Sequence, residues 1–216
     1  MSDNQSYGTP FLSSQCLELK EEIYRYGIKI TSDAHVILIH PYEAVDSIYY
    51  IDKGRVRFCT TNYEGKEKIL LIQEEGSIFG AVPSLLILQM PNMSIVTETP
   101  TVLYKMDNRI IASSNLLKDG LLKYMSKTIM TLMKVIESLS LDCCKIRLYN
   151  LFCASADAAS ALEDNWYSLR FQYSQDDMAK IISANRVTVA RLINELCDEE
   201  LIRIVNRKIQ VKKTAD

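Results

Sequence analysis

Histidine is nearly absent from this chain: His35 and His40 are the only two in 216 residues. With no carboxylate triad beside them, a metal-dependent β-roll enzyme has no ligand set to draw on. Long apolar runs are missing too. No stretch approaches the ~20 residues of a membrane span, and the opening MSDNQSYGTP has neither a basic n-region nor an apolar h-region. A cytoplasmic protein with no membrane partner is expected. Cysteine is present without forming a framework: six thiols in a cytosolic chain read as free. Only Cys16 lies near the N-terminus, which excludes four-thiolate iron–sulfur ligation there. What remains is an ordinary globular composition, 48% hydrophobic and 24% charged, long enough for one or two domains with their own cores.

The most informative stretch is Ser174 to Cys197, SQDDMAKIISANRVTVARLINELC. Ser174 with Asp177 makes a capping-box-like start to a helix whose apolar side is Met178, Ile181 and Ile182. Ser183-Ala184 interrupts the pattern, although no glycine supplies the turn. Asn185 is a good N-cap for a second helix to about Cys197. Ala179 is small where the helices would cross, and Val189 and Leu192 recur at core spacing. Arg186, Val187, Ala190 and Arg191 are left on one outer face, where a helix-turn-helix places the side chains that reach base edges. Ile202 to Val205, a turn at Asn206-Arg207, and Lys208 to Val211 then read as a basic hairpin, a wing. The net charge of −2 is unpromising for a DNA binder until resolved along the chain. From Arg170 to Lys213, nine basic residues stand against six acids, and four of the acids gather at the end of the second helix. A local basic surface suffices for phosphate contacts.

Upstream, Gly27 to about Met106 shows short β-branched and aromatic runs at 35–40, 47–51, 56–60, 68–72, 95–97 and 102–104. Gly54, Gly65 and Gly76, eleven apart, punctuate them. Regular turns between short strands suggest a small barrel or jelly roll. Past Asp107 the pattern changes: Leu122, Met125, Ile129, Leu132, Ile136 and Leu139 follow at spacings of 3, 4, 3, 4 and 3, a coiled-coil seam for a parallel homodimer. Leu121, Met130 and Met133 lie off the seam and suit packing on the β-domain. Cys143-Cys144-Lys145 marks a hinge, residues 146–154 a helix, and Ser155 to Asn165 a polar, Ala-rich connection before a strand at Trp166 to Phe171. The resulting division is a tail and helix over 1–20, a β-roll effector-sensing domain over 21–108, a dimerisation helix over 109–142 and a winged helix-turn-helix DNA-binding domain over 143–216.

Ile48-Tyr49-Tyr50-Ile51-x-x-Gly54-x-Val56, Glu64-Gly65-Lys66-Glu67, Gly76-Ser77-Ile78-Phe79-Gly80 and Asn185-Arg186-Val187-Thr188-Val189-Ala190-Arg191, in this order, resemble the Crp/Fnr superfamily of bacterial transcription regulators. The resemblance runs from about Tyr24 to Val211. It implies an α+β fold: a cyclic-nucleotide-binding-like β-roll, a long dimerisation helix and a C-terminal winged helix-turn-helix. It also implies a homodimer on a palindrome of double-stranded DNA, no catalytic residues, and contact with RNA polymerase if the protein activates. Arg186 and Arg191 would meet guanine, and Val187, where many relatives carry Glu, a thymine methyl. Ser183, Thr188, Arg207 and Lys208 would contact phosphates, with Asn185 completing the DNA-facing set.

The departures concern the effector. Members that bind cyclic AMP carry Gly-Glu after the Phe and Arg-Ser further on. Here Gly80 is followed by Ala81-Val82-Pro83, the Arg-Ser position falls near Asn92-Met93, and Leu132 and Met133 replace the polar pair that touches adenine. A buried phosphate without a cation would cost several kcal/mol, so cyclic AMP is not expected, nor is a metal or other cofactor. Pro91-Asn92-Met93-Ser94, Thr99-Pro100-Thr101 and Val187-Thr188-Val189-x-Arg191 look like the branch that senses halogenated aromatics (CprK-like), implying a small aromatic or phenolic effector. Its walls would be Phe79, Gly80, Val82, Leu85, Asn92, Tyr104, Tyr124, Ile129, Leu132 and Met133, with Lys127 or Tyr124 at its polar end. The same side chains also read as plain core. Three alternatives stay open: a thiol switch through Cys16 and Cys197 or the Cys143-Cys144 pair, a haem sensor using His35 or His40, and a signalling module that binds no DNA.

Overall fold

The computed structural model describes residues 7–12, 16–86, 89–162 and 165–213. It divides into two compact units, residues 10–130 and residues 131–216 together with 1–9. The first unit holds β1 (Phe11–Leu12), α1 (Lys20–Tyr26), β2 (Ile28–Ser32), β3 (Ile37–Ile39), β4 (Ser47–Lys53), β5 (Arg55–Thr61), β6 (Glu67–Glu74) and β7 (Ile78–Phe79). After them come α2 (Ala81–Leu86), β8 (Ser94–Thr97), β9 (Thr101–Asp107), α3 (Asn108–Ser113) and the first part of α4 (Asn115–Leu141). The strands form two sheets, ordered β1-β6-β5-β8-β3 and β2-β9-β4-β7.

Alternation along β4 explains the layering. Successive side chains point to opposite faces. Ile51, with Val56, Phe58, Leu71, Phe79, Ile95 and Leu103, fills the space between the sheets. Ile48 and Tyr50 face the other way and join Cys16, Leu19, Ile23, Met106, Leu117, Leu121 and Tyr124 in a second core under the helices. Around β4 and β7 the second sheet thus has two dry faces. Gly54 and Gly65 take positive φ of 92° and 80° at their turns. A Cβ on Gly54 would lie 2.6 Å from the Pro100 carbonyl oxygen, so glycine is required there.

The second unit holds the rest of α4, then α5 (Cys144–Ser155), β10 (Ala156–Ala161), β11 (Trp166–Leu169), α6 (Gln175–Ile182), α7 (Arg186–Asp198), β12 (Ile202–Val205) and β13 (Lys208–Lys212). The four strands form one sheet, β10-β11-β13-β12.

Four sequence expectations are corrected. The polar, Ala-rich connection contains a strand: β10 pairs antiparallel with β11 through Ala156↔Leu169 and Ala161↔Tyr167, with an irregularity between. Alanine and serine carry little β-propensity, and edge pairing on β11 overrides it. The single helix expected over 109–142 is two, because Ser114 is extended (φ −117°, ψ 119°) and its Oγ accepts from the Leu117 amide at 3.3 Å. Serine competes with the helical backbone in this way. The strand expected over 35–40 shrinks to Ile37–Ile39, since His35 sits at φ 63°. Within the segment expected to be a tail, Phe11 and Leu12 pair parallel with Ile72 and Gln73.

Candidate nucleic-acid interface and aromatic cluster

Local capping builds the helix pair. Ser174 Oγ accepts from the Asp177 amide at 3.1 Å and donates to its carboxylate at 2.7 Å. Met178, Ala179, Ile181 and Ile182 are buried. The chain then turns through Ser183 at φ 57° and ψ 48°, and the Ala184 N–H returns to the Ala179 carbonyl at 3.0 Å. This is a left-handed helix stop with serine where glycine is usual. Asn185 Oδ1 accepts from the Thr188 N–H at 2.7 Å and starts α7.

Val189, Leu192, Ile193 and Leu196 bury the inner face of α7, which leaves the opposite face to solvent. Arg186 and Arg191 are exposed, Val187 is 80% exposed, and Thr188 and Ala190 are half-buried. The helical period stacks Val187, Ala190, Arg191 and Asn194 on one stripe. Asn194, also exposed, extends the expected base-reading set by one turn. Its spacing of seven from Val187 was the available signal. Arg191 pairs with Glu195 one turn on. An exposed pair of this kind is worth ~0.3–0.5 kcal/mol, whereas a bidentate guanine contact is worth ~1–3 kcal/mol. The ion pair is thus weak enough for the guanidinium to leave it.

The wing forms as expected, Ile202 to Val205 against Lys208 to Val211. Its turn places Asn206 and Arg207 at φ 51° and 63°, the double positive-φ geometry of a two-residue hairpin. Arg207 and Lys208 are exposed at its tip. Gln172 anchors the hairpin by accepting from the Ile209 N–H at 3.1 Å and donating to its carbonyl at 3.3 Å. Beneath, the Trp166 ring lies under the Arg203 guanidinium, 4.4 Å from the ring centroid, a cation–π contact that the sequence pattern did not reveal.

The candidate effector residues do not gather at one place. Phe79 lies in the inter-sheet core, stacked on Tyr49 (ring centroids 4.9 Å apart, planes 6° apart) and edge-on to Phe58 at 6.4 Å. The Lys105 ammonium stands 5.9 Å from the Tyr49 centroid, and burial raises the Tyr49 phenol above its ordinary range. Gly80 follows at φ 78°, with only 2.7 Å between a Cβ and the Ser47 carbonyl oxygen. Tyr104 and Tyr124 belong to the core under the helices. There Gln73 Nε2 donates to the Tyr124 hydroxyl, and burial raises that phenol strongly. Leu85 lines an apolar groove with Ile111, Leu121, Leu122 and Met125, while Val82 and Lys127 are exposed. Asn92 fastens strand ends instead: its amide donates to the Thr61 carbonyl at 3.0 Å, and its carbonyl accepts from Thr60 Oγ1 at 2.6 Å. Leu132 and Met133 fall in the second unit and are exposed. Tyr49 and Phe58, the ring partners of Phe79, and Lys105 beside Tyr49 were missed. Reading β4 by alternation would have sent Tyr49 inward with Ile51 and Tyr50 outward.

The heptad residues of α4 expected to form a dimer seam lie exposed. Leu122, Ile129, Leu132, Ile136 and Leu139 are 37–67% exposed. Among the described residues no group of three or more His, Cys, Asp or Glu side chains could hold a metal ion, and no helix is long and apolar enough to cross a membrane.

Comparison with known proteins agrees with this geometry. Residues 30–113 match the cyclic nucleotide-binding domain and residues 146–216 the Crp-like helix-turn-helix domain. The global nitrogen regulator of Synechococcus elongatus is 24% identical over 180 residues, 81% of each chain. Among solved structures, the c-di-GMP-responsive global regulator CLP of Xanthomonas campestris superposes with TM-score 0.75 at 14% identity, covering 91% of this chain and 99% of that one. CprK complexed with OCPA superposes with TM-score 0.72 at 17% identity, covering 95% and 96%. A cyclic-nucleotide-binding β-sandwich followed by a long helix and a winged helix-turn-helix defines a DNA-binding transcription regulator. The chain belongs to the Crp/Fnr family of such regulators.

Proposed function

We propose that this protein works in the cytoplasm as a homodimer on an inverted-repeat operator, under control of a small aromatic or phenolic effector and not of cyclic AMP. The observation that carries the operator half is the outward stripe of α7, Val187, Ala190, Arg191 and Asn194, flanked by Arg186 and the basic wing tip. The exposed heptad residues of α4 supply the surface for pairing two chains, and two recognition helices must then enter successive major grooves ~34 Å apart. RNA polymerase is the further partner if the protein activates.

The effector half rests on the Phe79, Tyr49 and Phe58 rings with Lys105 beside them. Flat aromatic surfaces and one ammonium suit a ring bearing an acidic oxygen. Ala81 is buried in apolar core where cyclic-AMP binders carry Glu, and Asn92 is engaged with strand ends where they carry Arg. The buried Arg55 guanidinium is held by Glu98 at 3.0 Å. CprK, seen with OCPA bound, is among the structural neighbours, and the likeness of Pro91 to Ser94 and of Val187 to Arg191 to its branch supports the same class of ligand. A ligand shifts the equilibrium only by its differential affinity for the two arrangements, and no bound cofactor is needed.

Selection of binding sites from a random duplex library by reduced protein, with and without substituted benzoates and phenols, tests this. Enrichment of a palindrome whose half-sites lie one turn apart, in one effector state more than the other, is the expected result. Enrichment of single half-sites only would refute the dimer, and identical enrichment with every compound would refute the aromatic effector.

A further inference from the structure

Two adjacent thiols begin α5. Cys143 is its N-cap residue, exposed, with no capping hydrogen bond from its side chain. Cys144, the first helical residue, is half-buried. The Arg147 guanidinium reaches three acceptors: Nη2 donates to Cys144 Sγ at 3.2 Å, Nη1 to the Asp142 carbonyl at 2.6 Å and Nε to the Ile182 carbonyl at 2.9 Å. One planar fork holds both the Cys144 sulfur and the Asp142 oxygen. Asp142 follows the last residue of α4, and Ile182 is the last residue of α6, immediately before the left-handed Ser183. The group that touches this thiol also holds the entry to the helix-turn-helix turn.

The geometry of neighbours selects the chemistry. Consecutive Cα atoms are ~3.8 Å apart, closer than the ~4.4–6.8 Å that an unstrained disulfide needs. Direct oxidation of the pair is disfavoured, whereas one thiophilic atom inserted between the sulfurs relieves the ring. Soft thiolates select soft centres. We propose that Cys143 and Cys144 form a dithiol site for trivalent organoarsenicals, with Arg147 as the positioning residue that connects the site to the helix-turn-helix. The reaction is redox-neutral. Two As–S bonds form on an arsine oxide, its As–O bond breaks, and the oxygen leaves as water with both thiol protons. The electron pair that held the thiol proton now binds arsenic, and the Cys144 sulfur, turned to share that arsenic with Cys143, leaves Arg147, which loses one of three acceptors.

The connection to DNA rests on the operator reading above, but the site itself does not, so the test has two readouts. Reduced full-length protein is treated with phenylarsine oxide, and intact mass and free-thiol count are measured. One phenylarsenic per chain with loss of two thiols is expected, resistant to a monothiol and removed by a small dithiol. It should disappear in Cys143→Ser and in Cys144→Ser and persist in Cys197→Ser, with folding of each checked by circular dichroism. An adduct that survives in either of the first two variants, or that needs Cys197, overturns the site. In the second readout, loading should change operator affinity at least about fivefold, the usual size of a coupling between sites. Arg147→Gln should still take the arsenical yet show no such change. Unchanged affinity in loaded wild-type protein overturns the coupling. An unloaded protein that binds no operator counts against the operator reading and leaves the dithiol result standing.

Discussion

Replacing Val187 by Glu is the sharpest test of how α7 meets DNA. The side chain is 80% exposed, so the substitution removes no core contact, and surface changes of this kind usually stay within ~0.5 kcal/mol. Val187 is the second residue of α7, where a carboxylate near the helix N-terminus adds ~0.3–1 kcal/mol. Folding stability should therefore hold or rise slightly. On DNA, valine can meet only a thymine methyl at that base pair, whereas glutamate accepts from the cytosine amino group. At ~1–3 kcal/mol per discriminating contact, preference at one half-site should move toward G·C by ~5- to 150-fold. Anisotropy titrations of wild type and variant on duplexes differing at one symmetric base pair would read it. Retained affinity with unchanged base preference would refute the placement of Val187 in the groove. Loss of affinity on every duplex, with unchanged stability, would refute the claim that the position reads bases.

Asn185→Ala should cost ~1 kcal/mol of stability by freeing the Thr188 amide it caps, measured by urea unfolding; no loss would mean the cap is satisfied by water alone. A double substitution Leu132→Glu and Ile136→Glu on the exposed seam should give a monomer by light scattering, and a dimer that persists would place the pairing surface elsewhere. Lys208→Ala should weaken binding about equally on all sequences and reduce the slope of log affinity against log salt by ~1, so a sequence-selective loss contradicts a phosphate role. Burial pushes the Cys16 thiol up to about 12 and the Cys153 thiol up to about 11, from an ordinary 9.0. The unfolded chain then releases these protons first, so their contribution to stability is whole below pH 9 and is lost as pH rises toward 12. Urea midpoints should be flat around neutrality and fall above pH 9, and serine at either position should flatten that fall.

Legibility followed the range of the interactions. The helix pair was readable because its signals are local: Ser174 with Asp177, and Asn185 with Thr188, each lie within one turn. The glycine-punctuated strands were readable for the same reason. β10 was not, because Ala156 to Ala161 becomes a strand only through its neighbour across the sheet. The break at Ser114 hid because the apolar spacing resumes beyond it. Phe79 was found by motif, but its stack on Tyr49 needs the β4–β7 pairing, thirty residues apart in sequence. Arg147 carried no pattern at all. Its three acceptors lie before it, beside it and thirty-five residues beyond.

The two-faced second sheet has a mechanical consequence. Ile78 and Phe79 are adjacent, yet Ile78 belongs to the core under the helices and Phe79 to the core between the sheets. Tyr50 and Tyr49 are divided in the same way, and each pair is joined to the other across β4 and β7. The strands act as a partition whose two sides share one backbone. A molecule that displaces the Phe79 ring moves, one peptide away, a side chain packed in the same cluster as Leu121 and Tyr124 of α4. A message can cross this wall without any opening in it.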